Sequence, residues 1–125
     1  MNDRELGTKY EEVAVSFLER HGVRIIEKNY RTRQGEIDLI GLDRNKILVF
    51  IEVKYRKNEA AGLPEEAVQY RKQQTICHVS DIYRMKHGIP ERQQIRYDVV
   101  AILANKIKWY PGAFEYFSKQ KKYWR

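Results

Sequence analysis

A chain of 125 residues can bury one core but hardly two, so a single domain spanning residues 1–125 is expected. Hydrophobic residues at 42% beside charged residues at 33% exclude a low-complexity or disordered chain, and a lone cysteine, Cys77, excludes an intrachain disulfide. The excess of 24 Lys and Arg over 17 Asp and Glu, a net charge of +7, favours a polyanionic partner such as DNA or RNA.

The apolar residues Leu6, Tyr10, Val13, Ala14, Phe17 and Leu18 recur at three- and four-residue steps, which predicts an amphipathic helix ended by Gly22. A short β-prone stretch follows at 23–30, then stronger strands at 36–42 and 47–55 joined by a turn at Asp43, Arg44 and Asn45. Both alternating sets of the 47–55 segment are largely apolar, so that strand should lie centrally with both faces covered. After Gly62 and Pro64, the spacing of Val68, Thr75, Ile76, Val79, Ile82 and Tyr83 predicts a helix from Pro64 to Lys86, with Cys77 as a small core residue. Residues 95–103 form a further strand, and Asn105 turns the chain into a last one at 106–110. The order α, β, β, β, α, β, β predicts an α/β fold with a mixed sheet flanked by helices. From Pro111 to Arg125 the chain is an aromatic and basic tail with no element assigned. No apolar run approaches the length of a membrane span and thiols are scarce, which suits a cytoplasmic protein.

Polar residues interrupt the two strongest strands. Alternation puts Glu36, Asp38 and Ile40 on one face of their strand, and Phe50, Glu52 and Lys54 on one face of the next. In a hairpin, Asp38 then comes beside Glu52 and Lys54, leaving two carboxylates and one ammonium in a partly covered sheet. A buried ion pair accounts for one acid and leaves the other in surplus. That second acid needs a proton or a cation, and hard oxygen ligands suit Mg²⁺ or Mn²⁺, so structural pair and metal site both stand on spacing alone.

The arrangement of Asp38, thirteen residues, then Glu52-Val53-Lys54 resembles the PD-(D/E)xK nuclease motif, with Ile37 in place of its loosely kept proline. More closely, GTKYEEVAVSFLERHG, NYRTRQGEIDLIG, FIEVKYR and RYDVV resemble, in order, the YraN-like family of predicted endonucleases, a likeness that runs to about Val100. The resemblance implies a restriction-endonuclease-like αβββαβ core, kinship with archaeal Holliday-junction resolvases, and divalent metal at the strand acids. It implies hydrolysis of DNA phosphodiester bonds, in branched or recombination intermediates by analogy of fold. Asp38 and Glu52, with the carbonyl of Val53, would hold metal, and Lys54 would hold the attacking water. The motif also recruits an acid from the first helix. There Glu11 flanks the buried stripe while Glu12 points away, so Glu11 is the candidate.

Arg31, Arg33 and Gln34 in the loop before Gly35, and Arg56 with Lys57 at the end of the next strand, are expected to form a basic rim for the phosphodiester backbone. Gln69, Lys72 and Gln73 offer a polar helix face for the same purpose, although a solvated face explains them nearly as well. Gly35 reads as a glycine that opens a strand, and Asp98, which alternates with Arg96, as a structural ion pair. His21, His78, His87 and Cys77 lack ligand spacing for zinc, and no Walker-type loop is present. Lys119, Lys121, Lys122, Trp124 and Arg125 fit a packed or frayed tail better than a base-stacking one. Two other classes compete with the nuclease. One is a nuclease-fold module that binds nucleic acid without cutting it, and the other is a protein-interaction subunit. A homodimer would suit a symmetric junction, and a helicase or repair partner would be compatible, though no residue pattern demands either.

Overall fold

The computed structural model describes residues 2–57 and 69–117. Helix α1 (Asp3–Arg20) is followed by β1 (Arg24–Thr32), β2 (Gly35–Leu42) and β3 (Leu48–Arg56), then α2 (Tyr70–Lys86), β4 (Ile95–Leu103) and β5 (Lys106–Phe114). The fold is α/β, with one five-stranded sheet in the order β1-β2-β3-β4-β5. Neighbouring strands are antiparallel except β3 and β4, which run parallel because α2 lies between them in the chain and returns it to the same end of the sheet. The sheet is therefore mixed, in the predicted element order.

Each face of the sheet carries its own core. On one face Ala14 and Leu18 of α1 meet Leu39, Val49, Ile51, Val100 and Ile102. On the other, Ile76, Cys77, Val79 and Tyr83 of α2 meet Ile37, Ile40, Phe50, Tyr97 and Val99. The central strand β3 supplies both cores from its alternating residues, which is why its apolar pattern is nearly continuous. Val13, expected in the stripe of α1, is exposed, because the helix rests on Ala14 and Leu18 and turns its neighbour outward.

The ends of the elements follow local chemistry. Asn2 caps α1 by accepting the Glu5 N–H on Oδ1 at 2.8 Å. Gly22 releases the chain from α1 with a φ of +91°, and the Val23 amide returns to the Leu18 carbonyl at 2.9 Å. Asp43 organises the β2–β3 turn, its Oδ1 accepting the amides of Asn45 at 2.8 Å and Ile47 at 3.0 Å. Strand β5 runs past the expected end at Tyr110, through Pro111 and Gly112 to Phe114, so the tail begins later than its composition suggested. The helix expected from Pro64 begins instead at Tyr70, because Gln69 before it is extended, with φ −78° and ψ 166°, and serves as its N-cap. Pro64 itself and the basic residues beyond Phe117 lie outside the described residues.

Asp98 lies buried in β4 and holds this end of the fold together. Its carboxylate accepts from Arg96 at 2.8 and 3.0 Å, from the Trp109 indole at 2.9 Å and from the Gly112 amide at 2.9 Å. Arg96 reaches on to Asp43 at 2.8 Å, tying the β2–β3 turn to β4 and β5. The ion pair expected from sequence is thus one edge of a closed polar network. The Gly112 contact explains the β4–β5 irregularity between Tyr97 and Val99, since β5 bulges so that its amide meets the acid.

Candidate active site at a strand fork

The β2–β3 ladder begins at the turn with Leu42 opposite Leu48 and ends with Leu39 opposite Ile51, although β2 extends back to Gly35 and β3 onward to Arg56. Asp38 and Glu52 are the first residues past that last pair. The Val53 amide has no β2 carbonyl to meet here, and donates instead to Asp38 Oδ2 at 2.8 Å. A carboxylate has taken the place of a ladder bond.

Asp38 also breaks the pleat of its own strand. Ile37 and Ile40 both enter the core under α2 while Leu39 enters the core under α1, a pattern that strict alternation cannot produce. By register the residue across from Asp38 in β1 is Asn29, which has a φ of +52°. This local kink overturns the expectation that Asp38 shares a face with Ile40. Asp38 instead lines a cavity of about 210 Å³ under the start of α1, together with Leu6, Gly7, Tyr10, Glu11, Val53 and Tyr55.

Glu52 is 4% exposed and approaches from the α2 side. Its Oε2 receives Lys54 Nζ at 3.4 Å and Lys72 Nζ at 3.6 Å. Glu52 and Lys54 therefore do point the same way, and Lys72 joins the acid rather than standing only on an outer helix face. Asp38 meets Glu52 across the fork closely enough to hydrogen-bond to it.

Burial is the largest force on the Asp38 carboxyl and raises its pKa. The charge of Glu52 and the hydrogen bond to it push further, the Val53 amide opposes them, and the outcome is a pKa of about 8. The sequence left open which acid is in surplus; Glu52 takes both lysines, so it is Asp38, whose raised pKa favours a proton at neutral pH. Glu11 is half-buried and Glu12 exposed, as the helix phase predicted. The Glu11 carboxyl is also raised, first by burial, against a hydrogen bond from the Asn29 side chain, with Glu36 raising and Arg31 lowering it.

The expected basic rim is only partly assembled. Arg31 pairs with Glu36 at 2.8 Å on the surface, near enough to Glu11 to act on it. Arg33 and Gln34 occupy the exposed β1–β2 turn, Arg56 turns its guanidinium to the Tyr55 carbonyl at 3.1 Å, and Gln69 is the exposed N-cap of α2. Gly35 does open β2, with a φ of +150°, and a side chain there would strike Thr75 of α2. Reasoning from sequence missed Tyr10 and Tyr55, whose rings stack with centroids 3.8 Å apart at the cavity, and Asn29 beside Glu11. The signal for Tyr55 was its place two residues after Val53, on the face opposite Glu52 and Lys54.

Among the described residues no three His, Cys, Asp or Glu side chains gather into a metal-binding group. The donors that fit a divalent cation are the two carboxylates of Asp38 and Glu52, since a cation between them would replace the proton that burial forces on Asp38. A hard ion of the Mg²⁺ type keeps several waters and needs only one or two carboxylates, which this pair satisfies.

Fold and site define a mixed-sheet α/β protein with an acid pair at the fork of two strands. The chain belongs to the uncharacterised protein family UPF0102, the YraN family, whose sequence model matches residues 10–102 and so spans Glu11, Asp38, Glu52, Lys54 and Lys72. It is similar to a UPF0102 protein of Lachnoclostridium phytofermentans, 39% identical over 115 residues that cover 92% of this chain and 97% of the relative. A UPF0102 protein of Alkaliphilus oremlandii is 44% identical over 101 residues, 80% of this chain and 86% of the relative. Among solved structures, a repair endonuclease from Pyrococcus abyssi aligns at a TM-score of 0.46 and 19% identity, over 90% of this chain and 41% of that protein. No helix among the described residues is long and apolar enough to cross a membrane.

Proposed function

We propose that this protein is a divalent-metal-dependent endonuclease that hydrolyses DNA phosphodiester bonds at the β2–β3 fork. The observation that carries the reading is the meeting of Asp38 and Glu52 past the last ladder pair, with Lys54 Nζ 3.4 Å from Glu52. A structural ion pair needs one acid, and the fork supplies two. Asp38, Glu52 and the Val53 carbonyl would hold Mg²⁺ or Mn²⁺, which when bound neutralises phosphate charge and acidifies a water. Lys54 would exchange its contact with Glu52 for the phosphate oxygens and the attacking water, opposing the negative charge that develops in line. Lys72 would keep Glu52 oriented while Lys54 is so engaged. Glu11, drawn inward by burial and fixed by Asn29, would orient a water beside Asp38. Arg31, Arg33, Gln34, Arg56 and Gln69 would form the outer rim for the backbone.

One observation favours a second reading, a nucleic-acid-binding module without catalysis. Glu52 already has two lysine partners, so its charge is compensated without any metal. The two readings separate when purified protein is incubated with labelled single-stranded, duplex, flapped and four-way DNA, and with RNA of matching sequence, in Mg²⁺, Mn²⁺ or EDTA. The nuclease predicts cutting of DNA in metal and none in EDTA. Retention of DNA without cutting in either metal supports the module, and cutting that survives EDTA contradicts the metal site.

A further inference from the structure

Tyr10 and Tyr55 share one cavity with Glu11 and Asp38 yet have no part in holding a cation. Tyr10 comes from the first turns of α1, one residue before Glu11, and Tyr55 from β3, one residue after Lys54. Their rings lie nearly parallel, with an interplanar angle of 15°. Both are half-buried, and Tyr55 stands on β3 beyond the point where β2 ceases to pair with it. The cavity of about 210 Å³ is lined by two acids, Glu11 and Asp38, and by the two tyrosines, whose rings cover one face of each other and leave the outer faces for a further ring. A phosphate at the acids brings the attached base beside the tyrosines, because phosphate and base of one nucleotide are only a few bonds apart.

We infer that the Tyr10–Tyr55 pair is a stacking wall for an unpaired nucleobase next to the phosphate that meets Asp38 and Glu52, so the site takes DNA that is single-stranded at the cut. This rests on the nuclease reading for its substrate. A base inside a duplex is stacked on its neighbours and paired across the helix, and presents only its edge. A ring face becomes available once the base is unpaired. Stacking on aromatic side chains tolerates every base, so the wall selects for strand state and leaves sequence unread. The aromatic pair therefore narrows the substrate class from DNA in general to single strands, flaps or frayed branch points.

The test uses a single-stranded oligonucleotide carrying 2-aminopurine, with the same oligonucleotide in duplex form as the control, in Ca²⁺, a hard cation that the same carboxylates can hold. The oligonucleotide is checked for integrity so that binding is read apart from hydrolysis. Wild type should quench 2-aminopurine in the single strand and bind it more tightly than the duplex. Tyr55→Leu and Tyr10→Leu should each weaken single-strand binding by about 5- to 150-fold and abolish the quenching, with little change for the duplex. Tyr55→Phe and Tyr10→Phe keep the ring and should restore both signals, and circular dichroism with thermal unfolding shows whether each variant is folded. Equal affinity of wild type for single strand and duplex, or quenching that survives folded Leu variants, overturns the wall. Quenching by wild type that is never followed by cutting in Mg²⁺ or Mn²⁺ keeps the wall and removes the nuclease. Cutting without quenching does the reverse, and failure to bind any DNA removes both.

Discussion

Asp38 brings the chemistry of the fork down to one proton. Its carboxyl titrates near 4 in an unfolded chain and at about 8 in the fold. Between those values the folded state binds a proton that the unfolded state has lost, so this group's contribution to stability is full below about pH 4 and is lost as pH rises toward 8. In EDTA, the melting temperature of wild type relative to Asp38→Asn should therefore fall steadily across that window, and a flat difference would show that Asp38 ionises freely. Asp98 makes the contrasting case, a carboxylate with every contact supplied by the protein. Asp98→Ala removes two of the Arg96 contacts, leaving it Asp43 alone, and orphans the Trp109 and Gly112 donors, so urea unfolding should register a loss of about 3–5 kcal/mol. Both acids were legible in sequence, Asp38 from its distance to Glu52 and Lys54, Asp98 from its alternation with Arg96. Glu11 was separable from Glu12 by helix phase alone. The direction of Asp38 was not legible, because the break in alternation at this residue, opposite Asn29 with its φ of +52°, has no signature in the period of β2.

The seven elements were readable because each keeps one period over most of its length, β2 departing from it only at Asp38, and β3 in particular announced its central place by being apolar on both alternating faces. Boundaries were less so where a tertiary contact extends an element, as when the Gly112 amide meets Asp98 and carries β5 past Pro111. Close approach between elements left its mark at Gly41 of β2, where an added methyl group would lie 2.8 Å from Val23 Cγ1 and 2.9 Å from the Arg24 carbonyl oxygen. The β1 bulge between Ile25 and Glu27 sits against this position. Gly41→Ala should cost about 1–3 kcal/mol by urea unfolding, since backbone as well as side chain must give way. A neutral substitution would mean that the bulge relaxes at no cost, and that the register of β1 on β2 is looser than the structure has it. The fork itself is an element-scale feature, because it exists only where β2 stays with β1 and leaves β3.

At the scale of the whole molecule, two cores on opposite faces of one sheet hold α1 and α2 apart, and the fork collects one acid facing each helix: Asp38 toward Glu11 and Glu52 toward Lys72. That convergence from two layers is what the sequence could only suggest, since the spacing of Asp38, Glu52 and Lys54 is equally compatible with a structural ion pair. The net charge of +7 belongs to this scale too, and predicts DNA affinity that falls linearly on a log–log plot against salt, with a slope of about −2 to −4 if three to five phosphates are contacted. An affinity indifferent to salt would point to a protein partner instead. The account stands most directly on one comparison: the rate at which wild type and Asp38→Asn, both shown to be folded, cut the same labelled flapped and single-stranded DNA in Mn²⁺ or Mg²⁺. The account predicts that the exchange of one carboxylate oxygen for an amide lowers the rate by about 10²-fold or more. Equal cutting by the two proteins would contradict it, because the reaction would then not run through the acid pair at the fork.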